Sequence, residues 1–148
     1  EPELIIADEP TSALDVVVQR GVLELLVDLK DKSGSSLLLV SHDIAILSEV
    51  ADRLAIMYAG KMVEIQDVYD IFDDPLHPYT RGLIASVPSL EKGGIPRSIP
   101  GLPPDLKRPP PGCRFHPRCP NASDICTKED PEFKEIGPCK FVACHMTS

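Results

Sequence analysis

An α/β fold with parallel strands, followed by a small irregular cysteine-rich segment, is what the sequence predicts. Three observations carry it. Two unbroken apolar runs, Leu4-Ile5-Ile6-Ala7 and Leu37-Leu38-Leu39-Val40, bracket a stretch with helical apolar spacing. The composition changes near Pro75: residues 1–75 carry 5 Lys/Arg against 16 Asp/Glu, a net −11, whereas residues 76–148 carry 10 against 7, a net +3. Proline follows the same break, and all five cysteines lie between Cys113 and Cys144.

Each element follows in chain order. Leu4 to Ala7 reads as a strand covered on both faces, because nothing polar interrupts it. From Val16 to Lys32, the residues Val18, Val22, Leu25, Leu26 and Leu29 recur at helical spacing, and Gly34 suits the stop. Leu37 to Val40 is a second two-sided strand, which makes a right-handed parallel crossover unit. A short helix over Ile44 to Val50 follows. Then Arg53–Tyr58 and Lys61–Ile65 flank Ala59-Gly60 and read as a β-hairpin. Val68 to Asp74 predicts a short helix stopped by Pro75, and Pro78 opens another that runs to about Ser86. Ser89 to Pro111 is too rich in Gly and Pro for regular structure. It reads either as an extended surface arm anchored by Ile95, Ile99, Leu102 and Leu106 or as a linker without fixed structure.

Parallel strands end at one edge of their sheet, so Asp8-Glu9 and Ser41-His42 are expected to emerge together, where open α/β sheets bind ligands. Taken singly, an acidic pair after a strand suits a helix start, and a Ser-His-Asp triplet suits a cap with a surface imidazole. Taken together, two adjacent carboxylates call for a positive partner, because each raises the cost of ionising the other. Consecutive Ser41-His42-Asp43 cannot supply the facing geometry of a hydrolase triad.

The run LIIADEPTSALD followed by LLLVSHD resembles the second half of an ABC-transporter ATPase domain, a P-loop NTPase core. That resemblance implies Asp8, the Walker B aspartate, as the magnesium holder and Glu9 as the residue that polarises the attacking water. It also implies His42 as the H-loop histidine on the γ-phosphate, and Ser12-Ala13-Leu14-Asp15 as the D-loop that meets the opposing ATPase domain. The physical fit is direct: a hard cation takes oxygen ligands, the water needs an acceptor, and an imidazole gives a directional bond to phosphate. The G-x-x-x-x-G-K-[ST] loop is absent from the chain: Gly60-Lys61 is followed by Met62 and preceded by Ala55 where the first glycine belongs. A signature motif and Q-loop are absent as well. A start in mid-pattern without Met suggests a piece of a longer protein, and the piece alone is expected to neither bind ATP tightly nor hydrolyse it.

His77-Pro78-Tyr79-Thr80 after Asp74-Pro75 resembles the C-terminal extension of oligopeptide and dipeptide importer ATPases; locally, His77 and Tyr79 are expected simply to pack. The implied organisation is residues 1–74 as the C-terminal half of the nucleotide-binding domain, 75–111 as helix and linker, and 112–148 as a cysteine-rich tail. The implied function is MgATP hydrolysis coupled to peptide uptake, with a second ATPase subunit and membrane permease subunits as partners, a peptide-binding protein as an indirect one, and a peripheral place on the cytoplasmic face of the membrane. A net charge of −8 argues against nucleic acid or an anionic membrane surface as main partner. The competing reading is an autonomous cysteine-rich metal-binding interaction module without ATPase activity.

The cysteines are separated by 5, 6, 12 and 4 residues, an odd set that a pure disulfide framework cannot use up. Four thiolates around a metal centre suit so small a segment. The family resemblance implies a [4Fe-4S] cluster on Cys113, Cys119, Cys126 and Cys144, with Cys139 a spare thiol or substitute ligand and Arg114, Arg118 and Lys140 offsetting its charge. The alternatives are Zn²⁺ on the same residues, with His116 or His145 as further donors, since tetrahedral sulfur sites suit either, and free thiols.

Overall fold

A computed structural model describes residues 2–87 and 98–147. The chain divides into two compact units, residues 1–51 and 52–148.

The first unit contains strand β1 (Leu4–Asp8), helix α1 (Val16–Ser33), strand β2 (Ser36–Val40) and helix α2 (Ile44–Val50). β1 and β2 pair in parallel, from Leu4 opposite Ser36 to Asp8 opposite Val40. Helix α1 begins where Asp15 accepts hydrogen bonds from the amides of Val17 and Val18, a cap contributing about 1 kcal/mol. It ends at Gly34, whose φ of 65° closes the last turn without a Cβ penalty. Asp43 caps α2 in the same way through Ala45 and Ile46.

Burial here corrects two expectations. The strands are sheltered on one face only: Ala7 is buried and Ile5, Leu37 and Leu39 are half-buried, while Leu4, Ile6, Leu38 and Val40 are exposed. In α1 the sheltered stripe is Val22, Leu23, Leu26 and Val27, whereas Val18, Leu25 and Leu29 face outward. Apolar spacing places residues on a face, but a helix with apolar residues on several faces buries only the one its neighbour covers.

The second unit is an antiparallel sheet in the order β3-β4-β6-β5, with β3 (Arg53–Tyr58), β4 (Lys61–Asp67), β5 (Lys134–Gly137) and β6 (Lys140–Val142), plus helices α3 (Val68–Asp73) and α4 (Pro78–Ala85). Ala59 and Gly60 both take positive φ, 49° and 79°, the geometry of a tight hairpin turn. The cysteine-rich segment was expected to be irregular; instead its last part supplies β5 and β6, and β6 pairs with β4 through Glu64 opposite Val142 and Ile65 opposite Phe141. The hairpin thus shares a sheet with residues near the C-terminus, which satisfies the free edge of β4.

The core of this unit is aromatic. Tyr58 lies 4.6 Å from Tyr79 and 5.1 Å from Phe115, ring centre to ring centre, and Phe115 also meets His77 at 5.7 Å. His77 packs as expected: it is buried, and it caps α4 by accepting from the Tyr79 amide at 3.0 Å. Burial lowers its pKa to about 4, so the ring is neutral. Beneath it the fully buried Glu64 carboxylate accepts from the amides of Leu76 and His77, both at 2.8 Å, and from the Gln66 side chain at 2.6 Å. These bonds bind β4 to the start of α4.

Of the predicted arm, residues 89–97, Ile95 included, lie outside the described residues. From Ser98 to Pro111 the chain has no helix or strand. Ile99 does anchor it, lying so close to Gly82 that a Cβ there would sit 2.7 Å from the Ile99 side chain. Leu102 and Leu106 are exposed and anchor nothing.

Candidate functional site

The carboxyl ends of β1 and β2 bring Glu9 and His42 together from positions 33 residues apart. The Glu9 amide donates to the Val40 carbonyl at 2.9 Å, extending the parallel ladder one residue beyond β1. Its φ of 47° then turns the chain out of the sheet, a left-handed conformation uncommon for a residue with a side chain. His42 Nδ1 donates to the carboxylate, 3.0 Å from Oε1 and 2.9 Å from Oε2. Ser12 Oγ donates to Oε2 at 2.8 Å.

The bonds from His42 and then Ser12 hold the Glu9 carboxyl below its ordinary range. Reciprocally, the hydrogen bond and charge of Glu9 raise the His42 pKa, favouring imidazolium. An imidazole whose Nδ1–H is committed to a carboxylate presents Nε2 outward, and the protonated ring donates from both nitrogens. Asp8 ends β1 exposed beside this pair. Asp15 lies in the same segment as Ser12, but its carboxylate is engaged at the start of α1. What the arrangement offers is an acidic pair and an imidazole on one open sheet edge.

The cysteine-rich segment is ordered by its own turns. Cys113 donates its amide to the Cys126 carbonyl at 2.9 Å, and the 3₁₀ turns His116–Arg118 and Asp124–Thr127 follow Cys113 and precede Lys128. Burial pushes the thiols of Cys113 and Cys119 up; Cys126 and Cys144 raise Cys113 further, and Cys144, Cys113 and Cys126 raise Cys119. Backbone hydrogen bonding from Phe115 and His116 partly offsets the rise at Cys113, and that from Asn121 the rise at Cys119. Cys139 stands apart, exposed and at φ 59°.

The expected metal centre is not shown. Among the described residues no three His, Cys, Asp or Glu side chains are grouped so as to hold a metal ion. Cys113 and Cys119 are within electrostatic reach of Cys126 and Cys144. The cations expected to offset its charge are engaged elsewhere. Arg114 donates to the Ala59 carbonyl; Arg118 donates to Ile99, Pro100 and Tyr58; Lys140 pairs with Asp70 at 3.0 Å. His116 and His145 likewise bond to carbonyls, of Cys113 and Glu129.

Sequence reasoning missed Glu64 and the Ser12 bond to Glu9. A carboxylate in the middle of an alternating strand was the only signal for the first, and the Glu-x-x-Ser spacing the only one for the second.

Among the described residues no helix is long and apolar enough to cross a membrane. Residues 63–126 match the family "Oligopeptide/dipeptide transporter, C-terminal region". The chain is 46% identical over 151 aligned positions to the oligopeptide transport ATP-binding protein AppF of Bacillus subtilis, covering 99% of this chain and 46% of that protein. It is 47% identical to the dipeptide transport ATP-binding protein DppD of Caldanaerobacter subterraneus, covering 99% and 45%, and 51% identical to DppD of Bacillus subtilis, covering 88% and 39%. The chain therefore spans less than half the length of these curated relatives. Their names agree with the transporter reading and not with the autonomous metal-binding module. Residues 63–126 thus carry the pattern of the oligopeptide/dipeptide transporter C-terminal region, and nearly the whole chain is similar in sequence to less than half of each of these transport ATP-binding proteins.

Proposed function

We propose that this chain supplies the water-activating half of an ATP site in a peptide ABC importer. The observation that carries the reading is the Glu9–His42 contact at the shared edge of β1 and β2, with Asp8 beside it. Asp8, an exposed carboxylate, is the oxygen donor fitted to hold magnesium. Magnesium, when bound, supplies neutralisation of the phosphate charge. Glu9 accepts a hydrogen bond from the attacking water and orients it; its lowered pKa keeps it ionised for that task. His42, anchored through Nδ1, turns Nε2 toward the γ-phosphate.

Ser12 to Asp15 face a second, identical or homologous ATPase subunit, and closure of the pair drives the membrane permease, with a peptide-binding protein upstream. The protein works at the cytoplasmic face of the membrane. Within this reading residues 1–74 act as the ATPase half, 75–111 as connecting helix and linker, and 112–148 as the tail.

A [4Fe-4S] cluster on Cys113, Cys119, Cys126 and Cys144 belongs to the same proposal. Support for the cluster comes from the resemblance of the cysteine pattern to the family's tail, and Zn²⁺ on the same residues is the alternative.

The test is MgATP hydrolysis by the full-length subunit. Wild type turns over and Glu9→Gln abolishes it; a Glu9→Gln subunit with unchanged turnover sinks the reading. Anaerobically purified protein with four iron per chain supports the cluster, and one zinc per chain refutes it.

A further inference from the structure

We propose that Ser12 is a positioning residue for Glu9, its hydroxyl fixing the direction of the carboxylate and tying it to the Ser12–Asp15 segment. The kinetic part of this inference rests on the ATPase reading above.

The geometry is a small closed ring. The Glu9 backbone is pinned at both ends, its amide donating to Val40 at 2.9 Å and its carbonyl accepting from the Ser12 amide at 3.1 Å. That turn, entered through the positive φ of Glu9 and left through that of Ala13 (62°), returns the Ser12 side chain over the Glu9 carboxylate. Positive φ at two residues with side chains costs free energy, and such conformations persist where surrounding contacts determine them. Here those contacts converge on one carboxylate.

Ser12 must be the donor, because an ionised carboxylate only accepts. His42 straddles both oxygens from the end of β2, whereas Ser12 engages Oε2 alone, from within the same turn. A single straddling donor leaves the carboxylate free to pivot about its axis. A second donor on one oxygen stops that pivot and decides which lone pairs stay open to a water.

The rest of the segment makes the coupling directional. Asp15 is fixed to the first turn of α1, and the Gln19 side chain donates to the Thr11 carbonyl at 3.2 Å. Residues 12–15 are thus strung between Glu9 and α1. Movement of this segment therefore reaches the Glu9 carboxylate through the Ser12 hydroxyl.

Two measurements test this. In the 148-residue chain, three-bond couplings of Glu9 report a single side-chain rotamer in wild type and rotamer averaging in Ser12→Ala. In the full-length subunit, Ser12→Ala lowers kcat on the order of tenfold, the loss of one hydrogen bond to a charged group, while KM for MgATP stays within about twofold. Ser12→Thr, which keeps the hydroxyl, recovers most of kcat. Unchanged couplings or unchanged kcat in Ser12→Ala overturn the inference, as does a Thr variant as impaired as Ala. A wild-type subunit without ATPase activity sinks the functional reading instead, and the couplings then decide Ser12 by themselves.

Discussion

Replacing Gly112 by alanine tests how the cysteine-rich segment is built. Gly112 holds φ at 67°, and a Cβ placed there would lie 2.5 Å from the Cys126 carbonyl oxygen, 2.9 Å from the Thr127 carbonyl carbon and 3.0 Å from the Lys128 nitrogen. All three are backbone atoms, held by the Cys113 amide bond to Cys126 and the turn that follows. The left-handed backbone costs an alanine about 1–2 kcal/mol, and forcing a methyl against backbone adds about 1–3 kcal/mol. The expected loss is about 2–5 kcal/mol, out of roughly 5–15 kcal/mol for a unit of this size. Gly101→Ala is the control. It has φ of 79°, but its Cβ would meet the Arg118 side chain at 3.3 Å rather than backbone, so it should lose little beyond the backbone cost. Urea unfolding followed by tyrosine fluorescence reads both, since Tyr58 and Tyr79 sit against Phe115 in the same core. With a slope of about 1–3 kcal/mol per molar urea, the Gly112→Ala midpoint should fall by about 0.7–5 M. A Gly112→Ala midpoint no lower than that of Gly101→Ala would falsify the close-approach argument.

Three further outcomes follow from the same contacts. His42 should titrate above the ordinary histidine value by ring-proton NMR and fall back in Glu9→Gln; the charged pair is complete between the lowered Glu9 pKa and the raised His42 pKa and is lost as pH rises through the latter, and a pKa unmoved by Glu9→Gln rejects the pairing. His77 takes a proton at about pH 4 folded but near 6.5 unfolded, so stability should decline by roughly 3 kcal/mol as pH falls across that window; His77→Phe, which removes the group, should flatten the decline. Glu64→Ala strips the partner from two backbone amides and Gln66, and should cost about 3–5 kcal/mol by denaturant melt; a cost under about 1 kcal/mol would show that the carboxylate is not the anchor.

The bounds of most elements were legible because short-range chemistry sets them. Asp15 and Gly34 frame α1, Asp43 opens α2, Ala59-Gly60 turns the hairpin, and Pro78 begins α4. The meeting of Glu9 and His42 was legible too, because parallel strands must end at one edge. The catalytic role proposed for them comes from the family resemblance alone.

The sequence by itself determined the order and type of the elements and the juxtaposition of the acidic pair with the imidazole, since both depend on local propensity and strand direction. Only the tertiary structure decided which apolar faces are sheltered, that Lys140–Val142 completes the sheet of the hairpin, that Glu64 is buried as an anchor, and that Ser12 closes on Glu9. These depend on which distant segment arrives at a given edge or side chain. A strand edge or a lone carboxylate states a need for a partner, and only the folded chain says which residue meets it.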